Sequence, residues 1–311
     1  MKLSKELKQL IISFSPSINP LLALCTCVSF IAANDKDTDN NSNEINKKRG
    51  LSIMAKMGTL VAAIERHAQG KISIEPKKDL SYAANFLYML KEKMPSKKEE
   101  RIFDVCLILT AEHDLNASTF AARVAVSTWS DLYSAIVAAI ATLKGPLHGG
   151  ASIKSIETFE KLASEMEGKK FCDKGCLKIV EDYVMETLSQ HKRIMGIGHR
   201  VYKVKDPRAK ILEKYAERTS SGNLLYFQIA KEIEKVMAKE KNLYPNLDYF
   251  SGIVYKSLSI PKRLYICIFA MARTSGWVAH IIEEYNDNRL IRPRSEYVGS
   301  KNRNYIPIEK R

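Results

Sequence analysis

Residues 118–152 read STFAARVAVSTWSDLYSAIVAAIATLKGPLHGGAS, and this stretch decides the class of fold. From 118 to 145 apolar and small side chains recur without the strict alternation of a half-buried strand. The spacing predicts a long, deeply buried helix broken near Ser130-Asp131, with small residues that let neighbouring helices approach closely. The run ends in the collar GPLHGGAS. Glycine lets a backbone or a ligand come near. His148 in that collar is either a loop residue without a task or an acid–base group presented to a substrate.

The same helical periodicity covers most of the chain. It predicts helices over 20–33, 51–70, 81–95, 99–112, 151–166, 174–190, 208–219, 222–241 and 262–286, while strand signals are scarce. The fold class expected is therefore all-α. Residues 35–48 read as a polar loop or helix start, 243–252 as a turn-rich interruption and 288–311 as a basic tail. The lysine-rich middle, about 152–245, lies between more apolar parts. That pattern suits a smaller mobile domain, residues 150–259, inserted into a larger rigid one made of 1–149 and 260–311.

Hydrophobic residues make up 45% and charged residues 27%, the balance of a soluble globular protein. The net charge of +14 reads either as a lysine-rich surface or as the mark of an anionic partner. Zinc-finger spacing, RRM-type aromatics and blocks of consecutive lysines are missing, so small anions or plain solubility are favoured over nucleic acid. Cysteines 25, 27, 106, 172, 176 and 267 fall on apolar helical stretches without a second ligand pair at zinc-like spacing. They read as reduced thiols of a cytoplasmic protein, with no metal. The apolar run PLLALCTCVSFIAA (20–33) resembles the core of a signal peptide, but it starts far from Met1 and is too short to span a bilayer. A buried helix and no membrane segment are expected.

Three of the six histidines fall at breaks between helices, where binding residues collect: His113, His148 and His199. His67, His191 and His280 sit within helical patterns. His148 precedes a helix expected near Ala151, whose positive N-terminus disfavours the imidazolium. A neutral imidazole there can donate to a carbonyl oxygen that becomes negative. In GIGHRVYKVKDPR (196–208) two glycines and His199 form a tight turn with a donor at its tip. Arg208 follows at the start of a helix, and its fork matches a carboxylate bidentately. Asp248 in PNLDYFSG (245–252) is either an N-cap of the next helix or a general base whose pKa is raised by Leu247, Tyr249 and Phe250.

Together, EHDLNASTFAARV, SDLYSAIVAAIATLKGPLHGGA, GIGHRVYKVKDPR, PNLDYFSG and RPRSEYVG closely resemble the citrate synthase family, in order and spacing. The resemblance runs from near residue 20 to the C-terminus, and it implies that the chain begins several tens of residues later than most members. It implies a homodimer that condenses acetyl-CoA with oxaloacetate and hydrolyses the citryl thioester, without a permanently bound cofactor or metal. It assigns His148 to the enol of acetyl-CoA, Asp248 to removal of the methyl proton and His199 to the ketone of oxaloacetate. His113 matches a contact to the same 2-oxo acid, and Arg208 and Arg273 match its carboxylate clamps. Arg292 matches an arginine reaching across from the dimer partner. Lys203 and Arg294 match basic positions near the coenzyme A phosphates.

Three rivals stand beside this expectation. A 2-methylcitrate synthase would use the same residues on propionyl-CoA. An inactive, shortened homologue would act as a binding or dimer partner. A nucleic-acid binder would rest on the net charge alone.

Overall fold

The computed structural model describes residues 1–166, 171, 174–219 and 224–311. Among the described residues the regular structure is helical, with one isolated antiparallel bridge between Ile197 and Pro245. The long apolar stretch forms two helices, α6 (Ala117–Ser127) and α7 (Leu132–Leu143). The break falls where the sequence placed it. Trp129 turns the chain with φ 66°, and Asp131 Oδ1 accepts the amides of Tyr133 and Ser134, capping α7.

Before this pair come α1 (Lys5–Ser13), α2 (Pro20–Ala33), α3 (Asn43–Ala68), α4 (Tyr82–Lys91) and α5 (Lys97–Thr110). The α2 run is the buried helix expected, with Leu21, Ala23, Leu24, Cys27 and Val28 in the core. Helix α3 starts earlier than the apolar periodicity suggests, because Ser42 ends the polar loop and residues 43–50 already turn as helix. Helix α4 stops at Glu92, which takes a left-handed conformation, before Pro95 is reached. His191 lies just beyond helix α9 (Lys174–Ser189) with φ 53°, and not within it as its pattern suggested.

After the collar come α8 (Ala151–Glu165), α9, α10 (Pro207–Thr219), α11 (Leu224–Lys241) and α12 (Leu247–Ser257). These five pack chiefly on one another. The last long helix, α13 (Tyr265–Asn286), runs against α3, α5, α6 and α7. With the short 3-10 turn before it, this is among the described residues the one helix long and apolar enough to cross a membrane, and most of it is inside the protein. The tail beyond Asn286 is extended and mostly exposed. Burial pushes the Cys27 and Cys106 thiols up to about 12, so neither is a nucleophile near neutrality. Cys172 lies outside the described residues.

One contact sets how α13 meets the end of α5. The Gly276 amide donates to the Ala111 carbonyl at 3.1 Å, and a Cβ on Gly276 would stand 2.5 Å from that oxygen. Only a residue without a side chain permits this approach. Gly276→Ala is expected to destabilise the fold by about 1–3 kcal/mol, read as a lower midpoint in thermal or urea unfolding. The same displacement would move His113, two residues from Ala111.

Candidate active site

A cavity of about 900 Å³ opens between α13, the start of α6 and the α8–α12 group. His113, His148, His199, Arg208, Asp248 and Arg273 all line it. Six of the nine residues expected at a site, drawn from separate stretches of chain, thus share one cavity. Lys203, Arg292 and Arg294 do not line it; all three are exposed, the two arginines on the extended tail.

The turn carrying His199 and the helix start carrying Asp248 are stitched together. Gly196 and Gly198 have φ 82° and 87°, a conformation that favours glycine. The Gly198 amide donates to Tyr244, and the Asn246 amide donates to Gly196 at 2.8 Å. Asn246 Nδ2 also donates to the Gly198 carbonyl at 2.9 Å, while its Oδ1 accepts the Asp248 amide at 3.0 Å. Asn246, and not Asp248, is therefore the N-cap of α12. The capping alternative for Asp248 is overturned, and its carboxylate remains free for other work.

Backbone amides fix the tautomers of His199 and His148. His199 Nδ1 accepts the amides of Val201 and Tyr202 at 3.0 and 3.2 Å, so its proton sits on Nε2. His148 Nε2 accepts the Ser118 amide at 3.3 Å, which places its proton on Nδ1. That amide belongs to the first turn of α6. Besides α8, which begins at Ala151 as expected, the N-terminus of α6 thus holds His148. His113 Nε2 meets the Tyr202 hydroxyl at 3.3 Å, and its ring packs edge-on to His199 with centroids 5.0 Å apart.

The charges agree with this. Burial, with Arg273 nearby, pulls His148 down to about 4. Burial first, then Arg208 and Arg273, lowers His113. Burial first, then His113, lowers His199. All three rings are neutral donors near pH 7. Burial also raises Asp248 to about 6, against the opposing pull of Arg208 and Arg273.

The arginines face the same space. Arg273 is buried, donates through Nε to the Thr110 carbonyl at 2.7 Å, and lies 4.7 Å from the Phe269 ring centroid. Burial lowers it to about 10, still charged at neutral pH. Arg208 is held by Asp206, whose carboxylate accepts its Nε at 3.1 Å and its Nη2 at 2.7 Å. Two guanidinium groups beside three neutral imidazole donors make a receptor for a small dianion with a polar oxygen between its carboxylates.

Ser118, Tyr202, Asp206, Asn246, Phe269 and Trp277 were missed by sequence reasoning. Asp206 and Asn246 left a trace, each being an Asp or Asn just before a helix start. Trp277 and Phe269 left none, since each reads as core.

The family model described as "Citrate synthase, C-terminal domain" matches residues 1–294, so the likeness begins earlier than residue 20. The chain is 43% identical over 297 residues to citrate synthase 2 of Bacillus subtilis, covering 95% of this chain and 77% of that protein. It is also 43% identical over 286 residues to the citrate/2-methylcitrate synthase of the same organism, covering 91% and 74%. The structure superposes with TM-score 0.89 on the ternary complex of Thermoplasma acidophilum citrate synthase with carboxymethyl coenzyme A and oxaloacetate. That match has 36% identity and covers 100% of this chain and 81% of that one.

Two measurements test the site. Asn246→Ala removes both the cap and the bond to Gly198. It is expected to cost about 1–2 kcal/mol of stability in denaturant unfolding and to raise backbone exchange at Gly198. Asp248→Asn tests the buried charge. The carboxyl titrates near 3.8 unfolded and about 6 folded, so its ionisation opposes folding increasingly as pH rises from 4 to 6. Because the group opens on the cavity, the variant is expected to be more stable than the parent by about 1–2 kcal/mol at pH 8. The difference should vanish below pH 4 in thermal scans.

From its sequence and its structure, this chain belongs to the citrate synthase family.

Proposed function

We propose that the chain condenses acetyl-CoA with oxaloacetate and hydrolyses the citryl thioester to citrate and free coenzyme A. The observation that carries this reading is the convergence of Asp248, His148 and His199 on one cavity with Arg208 and Arg273. The arginines bind the two carboxylates of oxaloacetate, and His199 Nε2–H donates to its ketone, with His113 alongside. The thioester of acetyl-CoA lies with its carbonyl oxygen at His148 Nδ1 and its methyl at Asp248.

A thioester methyl is a far weaker acid than a carboxylic acid, and each pKa unit of mismatch costs about 1.4 kcal/mol. Asp248 takes the proton as His148 donates to the oxygen that gains the charge. The resulting enol carbon attacks the ketone carbon of oxaloacetate. As that bond forms the ketone oxygen becomes an alkoxide held by the His199 N–H, and the proton that Asp248 removed is returned to it, restoring Asp248 and leaving His199 neutral. Water then cleaves the thioester, and the sulfur leaves as the thiol. Holding both reactants in one oriented pair converts a bimolecular encounter into a local reaction.

Helices α8–α12, with residues 150–259 as the small domain, are read as the moving part. Gly149 and Gly150 precede the group, and Ser259, with φ 52°, follows it. Closure would exclude water during proton removal. The partner in this reading is a second copy of the chain. Phe120 on α6 and Trp129 just after it are 47% and 59% exposed, and Arg292 of the extended tail does not line its own cavity, which suits a reach into the partner's site. Lys203 and Arg294 would meet the coenzyme A phosphates, with Lys192, Arg193 and Lys241 of the cavity wall beside them. The cytoplasmic setting expected from the sequence belongs to the same reading, as does the absence of nucleic acid, membrane and resident cofactor.

The test is release of free thiol from acetyl-CoA. It is expected only when oxaloacetate is present and to be lost in Asp248→Ala with the fold retained; turnover near the parental rate in that variant would overturn the assignment. The base must be ionised, so kcat/KM for acetyl-CoA should rise with pH through about 6, while His148 is neutral throughout that window. A second reading, propionyl-CoA giving 2-methylcitrate, is favoured by the likeness to a citrate/2-methylcitrate synthase. One added methylene changes binding by only about 1–3 kcal/mol. A kcat/KM comparison of the two thioesters decides between them.

A further inference from the structure

Tyr202 touches three of the groups assigned to oxaloacetate without lining the cavity itself. Its amide is one of the two that donate to His199 Nδ1, at 3.2 Å, and its ring lies 4.7 Å from the His199 ring between centroids. The guanidinium carbon of Arg208 stands over the same phenol ring, 6.0 Å from its centroid. Its hydroxyl is 3.3 Å from Nε2 of His113, and the two rings meet edge-on. His199 and Arg208 belong to the same stretch of chain as Tyr202, between α9 and the start of α10. His113 does not, since it sits in the connection between α5 and α6. The Tyr202 hydroxyl thus reaches from the turn that carries the ketone donor to a histidine on a distant segment. Packing on His199 and covering Arg208 need only an aromatic ring, so phenylalanine would serve for both. The reach to His113 needs the hydroxyl. A phenol can donate to a bare imidazole nitrogen or accept from an imidazole N–H. The bond therefore holds the His113 ring whichever group supplies the hydrogen.

We propose that Tyr202 is a positioning residue for oxaloacetate, whose hydroxyl holds the His113 ring in register with His199 and Arg208 before the substrate arrives. This rests on the oxaloacetate reading of the cavity given above. Each side chain that a ligand must immobilise subtracts from its affinity, and one already held subtracts less. Tyr202 meets no reacting atom. Removing its hydroxyl leaves Asp248, His148 and the amides that hold His199 in place, so capture of oxaloacetate weakens while the chemical step is spared.

The experiment measures oxaloacetate binding to the full-length protein by titration calorimetry without thioester, followed by steady-state release of thiol. Tyr202→Phe keeps the ring and removes only the hydroxyl. It is expected to raise Kd and KM for oxaloacetate about fivefold, the worth of one hydrogen bond. Both kcat and KM for acetyl-CoA should stay within about twofold of the parent, whereas a loosened fold would move them too. His113→Ala is expected to weaken oxaloacetate binding by itself. Adding Tyr202→Phe to it should cost nothing further, because the hydroxyl acts through that ring. Parental oxaloacetate affinity in Tyr202→Phe, a fall in kcat with Kd unchanged, or a fivefold loss that persists beside His113→Ala would overturn the proposal. A folded parent that binds no oxaloacetate would overturn the reading of the cavity, and the proposal with it, before any variant is compared.

Discussion

The site depends on one asparagine. Asn246 closes the start of α12 with its Oδ1 and grips the Gly198 carbonyl with its Nδ2. Two chemical groups forty-nine residues apart in sequence, His199 and Asp248, are thereby set on one frame. The glycines of the His199 turn make room for it. A Cβ on Gly196 would stand 2.5 Å from Ser155 Oγ and 2.8 Å from the Tyr249 ring. Ser155 Oγ in turn donates to the Met195 carbonyl, so α8 clasps the same turn from the other side. Loss of the stitch would leave both groups present and neither aimed.

On that frame the charges are sorted by burial. Three imidazoles lie near two guanidinium groups, and each is pushed toward its neutral form. The carboxyl of Asp248, in the same cavity, is pushed the other way, toward a base matched to neutral pH. One environment drives acids and bases apart, which is how a single cavity runs proton removal and oxyanion capture together. Asp206 prevents a cost that burial would otherwise impose, since it is fully buried and paired in two places with the Arg208 guanidinium. An arginine held in this way loses less freedom when it meets a carboxylate.

The helical class was legible in the sequence because a 3.6-residue period is a local property of the chain. The break at Asp131 was legible for the same reason, a capping aspartate between two apolar runs. The six residues that share the cavity were legible as residue types at helix ends and, for Arg273, from the family resemblance. Their neighbours were not. Trp277 and Ser118 are 159 residues apart and meet only because α13 crosses the start of α6. No period or motif encodes that crossing.

Sequence alone therefore determined the helical class, the break before α7 and which side chains carry reactive chemistry, since these follow from local periodicity, capping and side-chain type, whereas the ends of α3 and α4 did not follow from it. Tertiary structure alone decided that Asn246 rather than Asp248 caps α12, that the first turn of α6 reaches His148, and which nitrogen bears the proton in His148 and His199. The physical reason is that a hydrogen bond between distant segments depends on where packing places them. The value of a buried charge depends on what surrounds it after folding, and neither quantity is written in any local stretch.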